Sequence, residues 1–201
     1  YYLLGHSMGS FVTRKYICDY GYELDGVIIM GTGHQPTPMV LAGKALADIT
    51  RFIKGDRYRS RLISKIMFGA YNKRIKNVRT SNDWLTRDET VVDEYNAGKL
   101  TTFLFTVNGY RGLMNMILYV RKPRNIAKIP KNLPMLMVSG LDDPVGEYGK
   151  GVYRAYNTYH GHIDDIDLRL FEDCRHELCN ELNKEEIYEE IYGWIMDHMN
   201  K

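Results

Sequence analysis

The pentapeptide Gly5-His6-Ser7-Met8-Gly9 constrains this chain more than any other stretch. An apolar run, Tyr1 to Leu4, precedes it, reads as a short buried strand and breaks at Gly5. Ser10 to Asp19 follows with apolar residues Phe11, Val12, Tyr16 and Ile17 at helical spacing, and Gly21 is a helix stop. A serine presented between a strand and a helix sits on a sharp, strained turn, so the residues two before and two after it are expected to lack side chains. Gly5 and Gly9 meet that demand. A glycine-rich turn with an incidental serine is the alternative, but the strand and helix flank this serine in the order a presented hydroxyl needs.

With 201 residues, 44% of them hydrophobic, the chain can bury one core with room for an inserted subdomain. A formal net charge of +2 gives no case for a nucleic-acid partner, and no apolar run reaches bilayer-spanning length. The cysteines, Cys18, Cys174 and Cys179, are sparse and odd in number, which leads to the expectation of reduced thiols in a cytoplasmic protein. Their spacing from the histidines does not resemble a zinc site, and His160-Gly161-His162 reads as a polar loop; no metal or cofactor is expected. Tyr1 already lies in the first strand. The expectation is therefore that this sequence is the C-terminal portion of a longer protein, with the strands before Tyr1 missing.

A second apolar run, Gly26-Val27-Ile28-Ile29-Met30, ends in Gly31-Thr32-Gly33, so strand, helix and strand form a βαβ unit and predict a parallel sheet. From Pro36 to about Tyr119 the rhythm is helical. Val40–Ile53, Leu62–Tyr71, Asp88–Ala97 and Gly112–Val120 read as helices, Asn108-Gly109 as a turn, and the run Thr101 to Val107 is ambiguous. The expected organisation is a sheet core over 1–35, a helical cap over 36–122, and the rest of the core over 123–201. Between Arg51 and Arg79 the cap carries ten Lys or Arg and one acid, Asp56. This reads first as a solvated face and second as attraction to anionic head groups at a lipid surface. Strands are expected again at Leu133–Gly140 and Ile166–Phe171, with a helix over Tyr148–Tyr159 between them. The chain closes with a helix that puts Ile187, Ile191, Trp194 and Ile195 on one face.

A serine hydroxyl is a weak nucleophile at neutral pH and needs an adjacent base, usually a histidine oriented by a carboxylate. Ser7, then Asp142 or Asp143, then His176 supply these groups in that order, the acid and the histidine each in a loop after a candidate strand. Such loops gather at the carboxyl edge of a parallel sheet. His6 is expected to face elsewhere and to pack or lie at the surface, His34 to line the pocket or to be structural or solvated, and His198 to be structural.

Gly5-His6-Ser7-Met8-Gly9-Ser10, Ser139-Gly140-Leu141-Asp142-Asp143-Pro144-Val145, and Arg175-His176-Glu177 with Asn180-Glu181 resemble the monoacylglycerol lipase and lysophospholipase-like branch of the α/β-hydrolases, a group that also holds serine aminopeptidase relatives. The cap stretch Asn82-Asp83-Trp84-Leu85-Thr86-Arg87-Asp88 extends the likeness more loosely. The resemblance implies an α/β-hydrolase fold (a mostly parallel sheet flanked by helices) with an inserted helical cap, and hydrolysis of a small acyl ester through an acyl-enzyme. It implies Ser7 as nucleophile, His176 as general base and then acid, Asp143 as orienter, and the Met8 backbone N–H as one oxyanion donor. The second donor would come from a loop before Tyr1. An aminopeptidase or amidase on the same scaffold, or a non-catalytic binding module, are the alternatives. The first strand is expected to expose an edge that an upstream segment or a second copy would cover.

Overall fold

The computed structural model describes residues 1–199. Strands β1 (Tyr2–His6), β2 (Gly26–Met30), β3 (Met135–Gly140) and β4 (Ile166–Phe171) form one sheet in the order β1-β2-β3-β4, with every neighbouring pair parallel. Parallel neighbours require crossover connections. Helix α1 (Met8–Tyr20) links β1 to β2, and α7 (Lys150–His160) links β3 to β4.

Every residue of β2 and β3 is buried, so these runs are continuously apolar rather than alternating. Successive side chains still point to opposite faces. Val27, Ile29, Met135 and Met137 pack with Ile17, Ala155 and Tyr159 on one side. Ile28, Met30, Leu136 and Val138 pack on the other with Leu178 and with Ile187, Ile191 and Trp194 of α8 (Lys184–Met199). Glu185 and Glu186 fall in the first turn of α8, where the helix dipole favours acids.

Strand β1 is less buried than its apolar composition suggests and lies at the sheet edge, as expected. It continues through Gly5 to His6, pairs only with β2, and leaves Leu4 44% exposed, because one of its sides has no neighbouring strand among the described residues.

Between β2 and β3 lie α2 (Thr37–Lys54), α3 (Arg61–Phe68), α4 (Glu89–Ala97), α5 (Val107–Tyr119) and the short α6 (Pro123–Ile126), and no described segment there forms a strand. Two small cores hold the cap together: Val40, Leu113, Met114 and Ile117 with Phe11 of α1, and Ala47, Ile63, Val107 and Tyr110. Asp48 on α2 pairs with both Lys44 and Arg111, tying α2 to α5.

The helix expected over Leu62–Tyr71 stops at Phe68, where the Gly69 N–H closes onto Lys65 O, and a separate 3-10 turn spans Tyr71–Arg74. Asn108-Gly109, expected as a turn, belongs to the first turn of α5. Thr106 caps that helix by accepting the Gly109 N–H on its Oγ1, so the glycine is held in helical geometry. The ambiguous run before it is turn and loop up to α5, and β3 starts at Met135, after Pro134.

The basic stretch of the cap lies on the surface. Arg51, Lys54, Arg57, Arg61 and Lys65 are exposed, as are Ile53, Leu62, Ile66 and above all Phe52, at 93%. The cysteines are unpaired. Burial raises all three thiol pKa values, that of Cys18 to about 11, which makes them poor nucleophiles. No described helix is long and apolar enough to cross a membrane.

Candidate active site

Ser7 sits at the junction of β1 and α1 with φ 55 and ψ −121, a backbone conformation that L-residues rarely adopt. The surroundings hold it there. Ser7 N–H donates to Met30 O at 3.0 Å, and Ser7 O accepts from Ser10 N at 2.9 Å and Ser10 Oγ at 2.6 Å. Gly5 is required sterically: a Cβ there would lie 2.6 Å from Gly9 O and collide with Thr13. Gly9 corrects the expectation, because a Cβ at that position meets nothing within 4 Å. The close approach is between the Gly5 Cα and the Gly9 carbonyl, so only one of the two glycines lacks room for a side chain. Met8 provides the first amide of α1, at the positive end of the helix.

Beneath the turn lies a buried guanidinium. Arg14, 1% exposed, donates through Nη1 to Thr32 Oγ1 and to Gly33 O, both at 3.1 Å, and through Nε to Tyr159 Oη at 3.0 Å. Thr32 Oγ1 also bonds Ser10 Oγ at 2.8 Å, so neutral oxygens link the charge to the Ser7 carbonyl. The loop after β2 is stapled by three arginines, with Gly33 O, His34 O and Gln35 O taking donors from Arg14, Arg154 and Arg121 in turn.

The loops after β3 and β4 bring the remaining groups to Ser7. His176 Nε2 lies 2.8 Å from Ser7 Oγ, and His176 Nδ1 lies 3.0 Å from Asp143 Oδ2. Both His176 and Asp143 are buried. Asp143 is fixed in turn, its Oδ1 accepting Val145 N–H at 2.8 Å and its Oδ2 accepting Ser139 Oγ at 3.3 Å. Asp142 is exposed, and its N–H donates to Cys174 O, so the alternative left open by the sequence places no carboxylate at the imidazole. Two further glycines make the approach feasible. A Cβ on Gly140 would overlap the carbonyls of Cys174 and Arg175, and one on Gly31, at φ 58, would lie 3.1 Å from the rings of both His176 and His6.

The imidazole of His176 is held between rings. Trp84 from the cap lies 4.9 Å away between centroids and His6 4.7 Å away. His6 therefore packs, as expected, but on His176 rather than elsewhere, and its Nε2 lies 3.1 Å from His176 O. Burial, and then the neighbouring His176, lower the His6 pKa, which disfavours its charged form against the His176 ring. Tyr71 meets Trp84 edge-on at 4.8 Å, and burial raises its phenol pKa. His34 packs instead against α7, with Thr158 Oγ1 3.4 Å from its Nδ1. His198 bonds Trp194 O at 2.7 Å and Asp165 at 3.2 Å, a structural role. His160 stacks on Tyr156 at the end of α7, and His162 lies 2.8 Å from Ile129 O.

Sequence reasoning gave Trp84, Gly31, Gly140 and Arg14 no role. Trp84 and Gly140 stand inside the motif stretches, but nothing in a linear sequence shows which ring stacks on which.

A hydroxyl bonded to an imidazole whose other nitrogen faces a buried carboxylate can pass its proton to that imidazole as it attacks an electrophile. The parallel sheet, the strained serine turn and this arrangement at the carboxyl ends of the strands define an α/β-hydrolase. The chain belongs to the serine aminopeptidase S33 family, whose sequence model matches residues 1–183.

Among solved structures it is similar to a highly thermostable carboxyl esterase from Bacillus coagulans in complex with glycerol (24% identity, TM-score 0.86), with all of this chain aligned to 64% of that one. It is also similar to a lipase in an open form (23%, 0.86, all of this chain and 66% of that one). A soluble variant of monoglyceride lipase from Saccharomyces cerevisiae aligns at 18% identity and TM-score 0.73, over 98% of this chain and 61% of that one. The chain thus spans somewhat less than two thirds of the esterase's length. Among curated proteins no sequence matches it.

Proposed function

We propose that the chain carries the catalytic residues of a serine hydrolase that cleaves carboxylic esters through an acyl-enzyme. The observation that carries this reading is the Ser7–His176–Asp143 relay, at 2.8 and 3.0 Å, on a serine held at φ 55. In the first half-reaction Ser7 Oγ bonds to the ester carbonyl carbon while its proton moves to His176 Nε2. The imidazolium then gives that proton to the leaving alcohol as the C–O bond breaks. In the second, His176 takes a proton from water, which attacks the acyl carbon, and returns it to Ser7 Oγ as the acid leaves. Asp143 keeps the proton on Nδ1 and stabilises the imidazolium.

Met8 N–H supplies one oxyanion contact. Each oxyanion donor is worth about 10²–10³ in turnover. The edge of β1 is where a further parallel strand would pair, from upstream sequence or a second copy.

Monoacylglycerol- or lysophospholipid-like esters are the proposed substrates. The exposed Phe52, Ile53, Leu62 and Ile66 beside Arg51, Lys54, Arg61 and Lys65 suit transient contact with an anionic lipid surface, from which an amphiphilic substrate would enter. The named activities of the similar esterase and monoglyceride lipase support the ester reading, and the family's own description keeps an amide substrate as the alternative. Labelling by a fluorophosphonate probe, abolished in Ser7→Ala, tests the nucleophile. Aryl esters of short and long acyl chains against aminoacyl anilides test the bond cleaved. Faster turnover of the anilides would replace the esterase assignment with an aminopeptidase.

A further inference from the structure

Glu181 has no part in the reaction just described, yet its side chain is fully buried, at 0% exposure. A carboxylate in such a place is destabilising unless donors surround it. Its donors come from two directions. Oε1 accepts the N–H of Arg175 at 2.8 Å and of Arg87 at 3.2 Å, and Oε2 accepts Arg87 Nε at 2.9 Å and Leu182 N–H at 3.3 Å. Arg175 immediately precedes His176. Immediately after it, Glu177 N–H donates to Leu85 O at 2.7 Å. The amides on both sides of His176 are therefore fixed, one by Glu181 and the other by the cap, while Glu181 is itself held by Arg87 of the cap.

The same seam carries more bonds. Arg175 Nη1 donates to Asp83 O at 2.7 Å and Thr86 O at 2.9 Å, Thr86 Oγ1 to Asn180 O at 2.8 Å, and Arg87 Nη2 to Asn183 Oδ1 at 2.7 Å. Trp84, whose ring lies against His176, stands in the middle of this segment.

We infer that Glu181 is a positioning residue for His176, and that through Arg87 it couples the placement of the imidazole to the cap. The inference rests on the serine-hydrolase reading. Asp143 sets which way the ring faces, but a single contact at Nδ1 does not fix the backbone that carries the ring. Proton transfer between Ser7 Oγ and Nε2 is steeply sensitive to their separation, and a misplacement of about 1 Å costs up to about 10²-fold. In Glu181→Gln one oxygen acceptor remains and an NH2 group faces the other donors, so either Arg175 or Arg87 loses its partner.

The test uses the full chain as wild type, Glu181→Gln and Arg87→Lys. Three quantities are compared below the melting temperature of each: the rate of fluorophosphonate labelling, kcat and KM on an aryl ester, and the far-downfield proton resonance of the His176 Nδ1–H facing Asp143. Glu181→Gln is expected to label about 10- to 100-fold more slowly, to lose kcat with KM nearly unchanged, and to shift or broaden the resonance. A lowered melting temperature with wild-type labelling and an unchanged resonance would show a purely structural role and overturn the inference.

Should Glu181→Gln not fold, Arg87→Lys carries the test. Its ammonium keeps the charge but not the guanidinium fork, and a loss of about threefold with the same resonance change is expected. Wild-type values there overturn the inference equally. Wild type that never labels would instead sink the hydrolase reading, while the resonance comparison still judges Glu181.

Discussion

Replacing Asp143 by Asn tests the relay most directly, because the structure dictates which way the new amide must turn. Asp143 Oδ1 accepts Val145 N–H at 2.8 Å, whereas Oδ2 faces His176 Nδ1 at 3.0 Å. An asparagine has one carbonyl oxygen, and the Val145 amide, a donor that cannot reverse, claims it. The NH2 group then occupies the Oδ2 position and donates to Nδ1. The imidazole proton is forced onto Nε2, which now points an N–H at Ser7 Oγ and can no longer accept its proton. The fold is retained, since Asp143 is lost only as a charge. The expected loss is about 10⁴ in kcat, or about 5 kcal/mol of transition-state stabilisation. Fluorophosphonate inactivation should slow in parallel, since the same proton must leave Ser7. Asp142→Asn, at an exposed side chain, is the control and should change neither rate. If Asp143→Asn keeps near-normal turnover and Asp142→Asn does not, the tautomer argument is wrong.

Two further outcomes are expected. Gly9→Ala should be tolerated or stabilise α1 by up to about 1 kcal/mol, by helix propensity, while Gly5→Ala should destabilise the serine turn severely; denaturant midpoints that rank the two the other way would refute the steric reading. His34, pressed by burial and by Arg121, Arg14 and Arg154 from an ordinary 6.5 to a pKa of about 4, makes the unfolded chain bind more protons at mildly acid pH. Stability should therefore be intact above pH 6.5 and fall as the pH drops toward 4, with His6 acting in the same direction. Urea midpoints across that window should flatten in His34→Gln, and an unchanged slope would exclude His34 as the cause.

Much of the fold was legible because local pattern and burial agree. Gly26–Met30 and Ile166–Phe171 are strands at the predicted bounds, the first an unbroken apolar run between glycines and the second alternating. The misreadings share a cause. Asn108-Gly109 has turn composition, but Thr106 supplies a cap that turns the same residues into helix. The helix read over Leu62–Tyr71 ends at Phe68, because the Gly69 N–H closes onto Lys65 O, whereas β1 lies at the edge expected of it. At the site, Ser7 and His176 announce themselves through residue types that chemistry requires, whereas the choice of Asp143 over Asp142 came from the resemblance alone. Arg14, Gly140, Trp84 and Glu181 act through contacts with residues distant in sequence. Their signals, a lone arginine or a glutamate after a histidine, look like ordinary surface composition until the chain is folded.

The seam between Asp83–Arg87 and the histidine loop changes what the cap is as a unit of exchange. By sequence the insertion is one block between two strands, and grafting another block in its place would look like the way to alter substrate choice. Its bonds divide it otherwise. Helices α2 and α3 contribute the exposed apolar and basic surface and leave the amides flanking His176 alone, whereas Leu85 and Arg87 hold those amides directly or through Glu181. A chimaera that replaces residues 37–68 exchanges the surface proposed as an entrance. One that runs on through residue 88 also takes away the contacts that hold the amides beside His176, and a loss of activity there would say nothing about substrate.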